Sequence, residues 1–315
     1  MSAPVVQIDH LSHRYDNRAA LADISLAVNA REIFGLLGPN GSGKTTLFRI
    51  LSTLIPPSDG RVTILSFDLA AQRDEIRRRI GVVFQSPSLD KQLTAEENLR
   101  HHGHLYGLRG RELNSRIDQM LEALRLASRA GERVGTFSGG MRRRVELAKG
   151  MLTRPSVLLL DEPSTGLDPS ARIDLWAYLA RIRDEQGVTV LLTTHLMDEA
   201  DRCDRLAILN HGVLLACDTP AAMKQRIGGD VITLSTDDPQ RAAATLREKL
   251  AVESDQVDGT LRLERPNGAQ FVPRLIEALP AGTVNSISVG KPTLEDVFVQ
   301  LTGHRFRDDE HPDVA

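Results

Sequence analysis

The chain has 315 residues, 41% of them hydrophobic, so it can bury a full core and is not typical of a disordered protein. Lys and Arg number 39 against 42 Asp and Glu, and the resulting net charge of -3 excludes a net basic field for holding nucleic acid. At about 150 residues per domain, the length predicts one large domain with a smaller one, or two domains.

Three features of the sequence indicate the cellular location of the chain: its cysteines, its N-terminus and its longest apolar runs. Cys203 and Cys217 form no C-x-x-C pair, which indicates a reducing cytoplasm and no disulfide framework. Residues 1–10 contain no basic stretch followed by an apolar one, so we expect no secretory signal. The longest apolar runs fall far short of the about 20 residues of a spanning helix. We therefore expect any membrane role to depend on a partner.

Apolar runs and amphipathic stretches alternate along the first two-thirds of the chain. Continuous apolar runs of strand length are typical of parallel strands buried on both faces. The pattern predicts an α/β core with antiparallel strands before it and a helical insertion at about 86–154. The predicted elements are strands at 5–8, 24–28 and 31–37, a helix at 43–51, strands at 61–65 and 80–84, helices at 94–106, 112–127 and 138–152, a strand at 157–161, a helix at 171–183, a strand at 188–193, and a hairpin formed by 205–209 and 212–216.

The composition changes after residues 227–229, and a second domain begins there. Residues 231–303 predict strand, helix, strand, helix, strand and helix, with Thr293 opening the last helix and Asp296 placed to cap it. We therefore predict a first domain at 1–228, a small C-terminal α+β domain at 229–303 and a charged, disordered tail at 304–315.

The first chemical signal is a complete G-x-x-x-x-G-K-[ST] motif between a predicted strand and a predicted helix. Its glycines let the backbone point N–H groups at an anion, and the helix N-terminus adds its dipole. Lys44 supplies a charge for the β- and γ-phosphates, and Thr45 offers a hydroxyl to Mg²⁺. The pattern predicts a P-loop NTPase that binds ATP and Mg²⁺. The motif consists of Gly38, Pro39, Asn40, Gly41, Ser42, Gly43, Lys44 and Thr45.

Two carboxylates follow the predicted strand at 157–160, at the end where open α/β sheets place ligands. We expect Asp161 to hold Mg²⁺ through water and Glu162 to act as general base on the attacking water.

Between this pair and the phosphate loop lies Ser138, a good N-cap, followed by Gly139 and Gly140 at the start of a helix. A second anion site without a second nucleotide motif suggests two chains facing each other, with two ATP molecules between them.

These ordered motifs resemble those of the ATP-binding subunits of ATP-binding cassette (ABC) transporters, over about residues 5–226. The resemblance implies that Tyr15 stacks on adenine, that Gln85 contacts Mg²⁺ and water, and that His195 contacts the γ-phosphate. It also implies that residues 164–168, ending in Asp168, cross a dimer interface, and that Thr46 joins the nucleotide site. The implied catalytic set is Lys44, Gln85, Glu162 and His195.

The sequence departs from the usual family signature at Phe137 and Met141, where Leu and Gln are common. The segment from Gly139 to Arg144 and the ending at 292–298 resemble the branch that contains daunorubicin-resistance-type and nodulation-exporter-type ATPases. This branch implies an exporter with a separate membrane permease, a homodimer in the ATP-bound state, and a peripheral location on the cytoplasmic side of the membrane. The helical insertion would then be the docking surface for the permease.

Other motifs admit less specific interpretations. Arginine runs at 77–79 and 142–144 suggest nucleic acid, but in an acidic chain they favour solvated or salt-bridged helix faces. His101 and His104 lie one helical turn apart without a completing ligand, so we expect no metal there. Three alternatives stay open: a soluble ABC-type ATPase outside transport, a small-molecule kinase, and an importer subunit.

Overall fold

The computed structural model describes residues 3–306, so residues 307–315 of the charged tail predicted at 304–315 lie outside the described residues. The described residues form two compact units, one of residues 3–196 with 203–217 and one of residues 197–202 with 218–306. The elements of the first unit are β1 (Val6–Tyr15), β2 (Arg18–Val28), β3 (Ile33–Leu37), α1 (Lys44–Leu51), β4 (Asp59–Ile64), β5 (Phe67–Asp68), α2 (Arg73–Arg77), β6 (Ile80–Val83), α3 (Ala95–Leu105), α4 (Gly110–Ala123), α5 (Gly139–Met151), β7 (Val157–Leu160), α6 (Pro169–Gln186), β8 (Thr189–Thr194), β9 (Arg205–Asn210) and β10 (Val213–Asp218).

A six-stranded sheet with the order β10-β9-β3-β8-β7-β6 forms the centre of this unit, and its strands from β9 to β6 pair in parallel. Both faces are buried: Leu158 and Leu160 pack towards α3–α6, while Val157 and Leu159 pack towards α1 and the antiparallel strands. The continuous apolar pattern of β7 and β8 arises from this two-sided burial. The sheet confirms the predicted α/β class.

A second sheet, with the order β2-β1-β4-β5, packs on the core through alternating residues such as Val6, Ile8 and Leu11. Strands β1 and β2 are longer than the 5–8 and 24–28 segments that the sequence predicts. Their pairing continues through register shifts, and His10 and Asp23 have positive φ values of 49° and 53°. Such bulges break the period-two alternation, so the sequence pattern stops before the strands do.

Helices α3, α4 and α5 follow one another between β6 and β7 with no strand among them in the described chain, as the sequence predicts. Helix α3 begins with a capping box, in which Thr94 accepts the Glu97 N–H while the Glu97 carboxylate accepts the Thr94 N–H. The three helices bury residues such as Leu99, Leu113 and Leu147 in one core. Helix α5 therefore connects this block directly to the strands of the parallel sheet.

Two glycines set the distance between α5 and β6. A Cβ on Gly81 would lie 2.2 Å from the Gly150 carbonyl oxygen and 3.0 Å from Pro155, where the backbone has no room to move. We expect Gly81→Ala to lower the free energy of unfolding by about 1–3 kcal/mol, the usual cost of overpacking. Gly131→Ala is the control, since a Cβ there meets no atom within 4 Å. Equal thermal unfolding midpoints for the two variants would contradict this close packing.

The second unit contains α7 (Met197–Ala200), α8 (Pro220–Gln225), β11 (Asp230–Thr236), α9 (Pro239–Leu250), β12 (Asp255–Val257), β13 (Thr260–Arg265), α10 (Gly268–Ala278), β14 (Val284–Gly290) and α11 (Leu294–Thr302). Its sheet has the order β12-β13-β11-β14, and its neighbouring strands pair antiparallel. From β11 to β14 this is the split βαβ arrangement, with α9 and α10 packed on the face of Leu234 and Leu261. The sequence pattern misses β12, which has only three residues.

Helix α11 starts as the sequence predicts. Thr293 accepts the Asp296 N–H, and the Asp296 carboxylate accepts the Thr293 N–H, which completes a capping box. The Asp296 carboxylate also accepts from the buried Arg262 at 3.3 Å, and Arg262 donates to Glu264 at 2.7 Å. The cap thus joins α11 to the sheet.

Across residues 3–306, no helix has the length and apolar character needed to span a bilayer.

Candidate nucleotide-binding and catalytic site

The loop between β3 and α1 is shaped by close contacts that only glycine allows. A Cβ on Gly38 would lie 2.3 Å from the Leu209 carbonyl oxygen. Gly43 has a φ of 101°, and a Cβ there would lie 2.7 Å from the Ala20 carbonyl oxygen. Any other residue at Gly38 would clash with this carbonyl. At Gly43 any other residue would also be strained by the positive φ. The loop is thus held between β9 and β2, with its backbone N–H groups at the start of α1.

The polar side chains of this loop are arranged around an anion-sized space. The Lys44 ammonium donates to the carbonyls of Gly38 at 2.6 Å and Pro39 at 2.9 Å, so its charge lies inside the loop. The Ser42 hydroxyl is buried and has no hydrogen-bond partner within residues 3–306. A buried polar group normally has a partner, and phosphate oxygens would supply one here. The loop therefore fits the phosphates of a nucleotide.

A cleft of about 460 Å³ opens beside this loop, within the size range of ligand pockets. Tyr15 stands at its edge with 41% of its surface exposed, and its ring makes an edge contact with His13. The cleft also contains Arg18 and His211, which the sequence analysis missed because they belong to no motif. Its lining residues are Tyr15, Arg18, Ala19, Ala20, Asn40, Gly41, Ser42, Gly43, Lys44, Thr45, Thr46 and His211.

Asp161 follows directly after β7 and is buried, with 6% of its surface exposed. Burial raises the pKa of its carboxyl, while the hydrogen bond from Thr193 and the charge of Lys44 act in the opposite direction. The Thr193 hydroxyl donates to Asp161 at 2.6 Å and also accepts the Glu162 N–H at 2.9 Å. One hydroxyl on the neighbouring strand β8 thus fixes both carboxylate residues.

Glu162 is held by side chains from three separate segments. Its carboxylate accepts from the Gln85 amide at 3.0 Å and the Thr165 hydroxyl at 3.2 Å, and it lies 3.3 Å from Nδ1 of His195. Its φ of 41° is unusual for a residue with a Cβ, and such strain concentrates at functional sites. The structure therefore brings together Gln85, Glu162 and His195, three of the four residues that we predict to be catalytic.

The fourth predicted catalytic residue, Lys44, lies close enough to Asp161 for its charge to oppose the rise that burial causes in the pKa of that carboxyl. Gln85 reaches this group from the end of β6, and His195 reaches it from the end of β8. Both strands are neighbours of β7 in the parallel sheet, so their carboxyl ends meet at one edge. This edge is where an α/β sheet binds its ligand.

The turn formed by Ser138, Gly139 and Gly140, the Ser138 turn, lies elsewhere in the unit. The Ser138 hydroxyl accepts the Met141 N–H and caps α5, and a Cβ on Gly139 would lie 3.7 Å from the Gly166 carbonyl oxygen. None of the residues lining the cleft within the described chain belongs to this turn. Asp168 likewise lies outside the cleft, where it caps α6 by accepting the Ala171 N–H at 2.9 Å.

The prediction for the arginine run 142–144 is wrong for one of its three residues. We predicted a solvated or salt-bridged face, and Arg144 does pair with Asp174 at 2.6 Å. Arg143 instead points inward and donates to three backbone carbonyls next to the site, and burial lowers its pKa. A run of identical residues on a helix gives no sign in the sequence of which one faces inward.

Within residues 3–306, no cluster of three metal-binding side chains occurs around His101 or elsewhere.

The fold and the site together define a P-loop nucleotide-hydrolysing enzyme. A family model described as ABC transporter matches residues 21–165, and one described as ATP-binding protein DrrA1-3-like, C-terminal domain, matches residues 219–302. Daunorubicin resistance ATP-binding protein DrrA2 of Streptomyces coeruleorubidus is 37% identical over 100% of both chains. Nod factor export ATP-binding protein I of Sinorhizobium fredii is 37% identical over 96% of this chain and 87% of its own.

Solved structures of the same family also align with this chain. An ATP-binding subunit of an ABC transporter aligns with a TM-score of 0.64 at 31% identity, over 71% of this chain and 93% of its own. A dimeric ATP-binding cassette in a post-hydrolysis state, bound to ADP and Pi, aligns with a TM-score of 0.63 at 28% identity, over 68% and 98%. The chain belongs to the ABC transporter family, as an ATP-binding and ATP-hydrolysing subunit with a DrrA-like C-terminal domain.

Proposed function

We propose that this chain is the ATPase of an exporter, that it works as a pair of identical subunits, and that it drives a separate membrane permease from the cytoplasmic side. The observation that carries the catalytic part is the placement of Glu162. Gln85, Thr165 and His195 surround its carboxylate, and Asp161 precedes it at the end of β7. A carboxylate fixed in this way suits a general base that orients and deprotonates water.

The phosphate loop supplies the binding half of the reaction. Lys44 now satisfies the carbonyls of Gly38 and Pro39, and in the complex its ammonium would neutralise the β- and γ-phosphates. The Ser42 hydroxyl and the first N–H groups of α1 would donate to the phosphate oxygens. Tyr15, at the edge of the cleft, would stack on the adenine ring.

The oxygen atoms at this edge of the sheet fit Mg²⁺, which usually takes one or two carboxylates together with substrate phosphates. Asp161 offers the buried carboxylate, Thr45 an exposed hydroxyl in the first turn of α1, and Gln85 an amide oxygen. When bound, Mg²⁺ would neutralise charge on the phosphates during their transfer. Glu162 would remain available for water, with His195 beside it to orient the water and the γ-phosphate.

Hydrolysis by this mechanism consists mainly of positioning and charge neutralisation. Glu162 takes a proton from the attacking water, and the new P–O bond forms as the bond to the β-phosphate oxygen breaks. The products are ADP and inorganic phosphate. Lys44 stays with the β-phosphate, so the departing inorganic phosphate carries away the charge of the γ-phosphate while the charge of ADP stays at the loop.

The Ser138 turn completes the site from a second subunit. It forms the N-terminus of α5, where the first N–H groups have no partner within the helix and the dipole favours an anion. It does not line the cleft of its own chain among the described residues. Two subunits arranged head to tail would place each Ser138 turn on the nucleotide bound by the other. Loss of the γ-phosphate would then separate the pair.

The exporter assignment draws on the relatives, which are named for daunorubicin resistance and Nod factor export. The test is co-expression with a candidate membrane permease. We expect the two to purify together from detergent-extracted membranes and to lower the cellular content of a cargo only when Glu162 is intact. Cargo export that continues with Glu162→Gln would contradict the assignment.

A further inference from the structure

Helix α5 connects the Ser138 turn to the catalytic edge of the sheet through one side chain. Arg143 donates to the carbonyls of Phe84 at 2.8 Å, Asp161 at 3.1 Å and Pro163 at 2.8 Å. Phe84 precedes Gln85, and the other two carbonyls belong to the residues on either side of Glu162. The planar guanidinium, with five N–H donors, can hold three acceptors at once, which a lysine ammonium cannot do in one plane.

A second contact joins the same face of α5 to the loop that follows Gln85. The buried Glu146 carboxylate accepts from the Ser88 N–H at 2.6 Å and the Ser88 hydroxyl at 2.9 Å. Lys149 donates to the Ser88 carbonyl at 3.2 Å and also contacts its hydroxyl. Arg143, Glu146 and Lys149 are three residues apart, so they share one face of the helix. The helix therefore fixes both ends of the loop 85–88.

We propose that Arg143 is a positioning residue that couples the Ser138 turn to Gln85 and Glu162 of the same subunit. The proposal rests on the proposed function, in which the Ser138 turn contacts the partner's nucleotide. Arg143 lies five residues beyond Ser138, about 7.5 Å along a rigid helix. A displacement of the turn moves Arg143, and the three carbonyls move with it. The partner's ATP thereby sets the position of this subunit's catalytic groups.

The test is Arg143→Met, which keeps an unbranched apolar stem and removes the guanidinium with its donors. We expect kcat for ATP to fall by about 10- to 100-fold, the range found when residues that orient catalytic ligands are lost, with KM changed by less than about twofold. Arg143→Lys restores one donor and should recover part of kcat. If Arg143→Met does not fold, Arg143→Lys provides the same test, because kcat should again fall while KM changes little. Unchanged kcat in the folded variant would overturn the proposal.

Arg116, which lies on α4 and contacts the C-terminal end of α5, provides a matched control. It donates to the Leu152 carbonyl at 3.1 Å, at the C-terminal end of α5, and has 17% of its side chain exposed. Arg116→Met removes an arginine–carbonyl bond of the same type without reaching Gln85 or Glu162. We expect a thermal unfolding midpoint similar to that of Arg143→Met and a kcat close to the parent. An equal fall of kcat in both variants would show that Arg143 acts only through helix stability.

A double variant separates this proposal from the proposed function. If the pair is formed by ATP, Glu162→Gln will accumulate as an ATP-bound dimer, and we expect Glu162→Gln with Arg143→Met to do so at the same ATP concentration. Loss of the dimer only in the double variant would overturn the positioning role, because Arg143 would then be needed for pairing. Loss of the dimer already in Glu162→Gln would contradict the proposed function instead.

Discussion

Replacing Glu162 by Gln will reduce ATP hydrolysis by about 100- to 10,000-fold, the range of a lost general base. Gln keeps the shape of the side chain and an acceptor for Gln85 and Thr165, so the surrounding contacts should survive. It cannot take a proton from water. Nucleotide affinity should stay near the parent value, because Lys44 and the phosphate loop are untouched. Steady-state phosphate release, measured beside equilibrium nucleotide binding, tests both statements.

Glu122→Gln is the control for this experiment, since Glu122 is exposed on α4 and contributes no atom to the cleft. We expect its phosphate release to match the parent. Turnover of Glu162→Gln within about threefold of the parent would refute Glu162 as the base, given the range for a general base. Another group would then have to act as the base, and His195, 3.3 Å away, is a titratable candidate.

Replacing Lys44 by Ala will weaken ATP binding by about 10- to 150-fold, because a hydrogen bond to a charged group contributes about 1.5–3 kcal/mol. The ammonium is buried and held by the carbonyls of Gly38 and Pro39, so it is already placed inside the loop. Water can satisfy these carbonyls from the open cleft after the substitution. Titration with a fluorescent ATP analogue measures the change in Kd.

Lys249→Ala is matched to this variant, because Lys249 also donates to a backbone carbonyl, that of Ala278 at 2.8 Å, in the C-terminal unit. It should bind ATP like the parent. Equal losses of affinity in the two variants would mean that Lys44 acts through general stability, and that the phosphate loop is not the ATP site.

The phosphate loop and β7 could be predicted from sequence because local residues determine their shape. The close contacts around Gly38 and the positive φ of Gly43 exclude most other residues, and the apolar run before Asp161 specifies a strand buried on both faces. The α/β class and the family are confirmed. The grouping of Gln85 and His195 around Glu162 followed only from the family resemblance, since the three residues lie far apart in sequence.

Other features depend on contacts that sequence patterns do not carry. Arg143 looks like its neighbours Arg142 and Arg144, and only the packing of α5 against β6 and β7 determines which one turns inward. Arg18 and His211 line the cleft because β2 and the β9–β10 turn meet beside the loop. The three-residue strand β12 is stabilised by pairing with β13 and not by its own composition.

In the proposed function, one chain carries half of each nucleotide site and ATP joins two chains. The most direct measurement is the molar mass of Glu162→Gln in solution, by light scattering, with Mg²⁺ and either ATP or ADP. We expect twice the mass of a single chain with ATP and the mass of a single chain with ADP. A single chain with both nucleotides, at saturating concentrations, would contradict it.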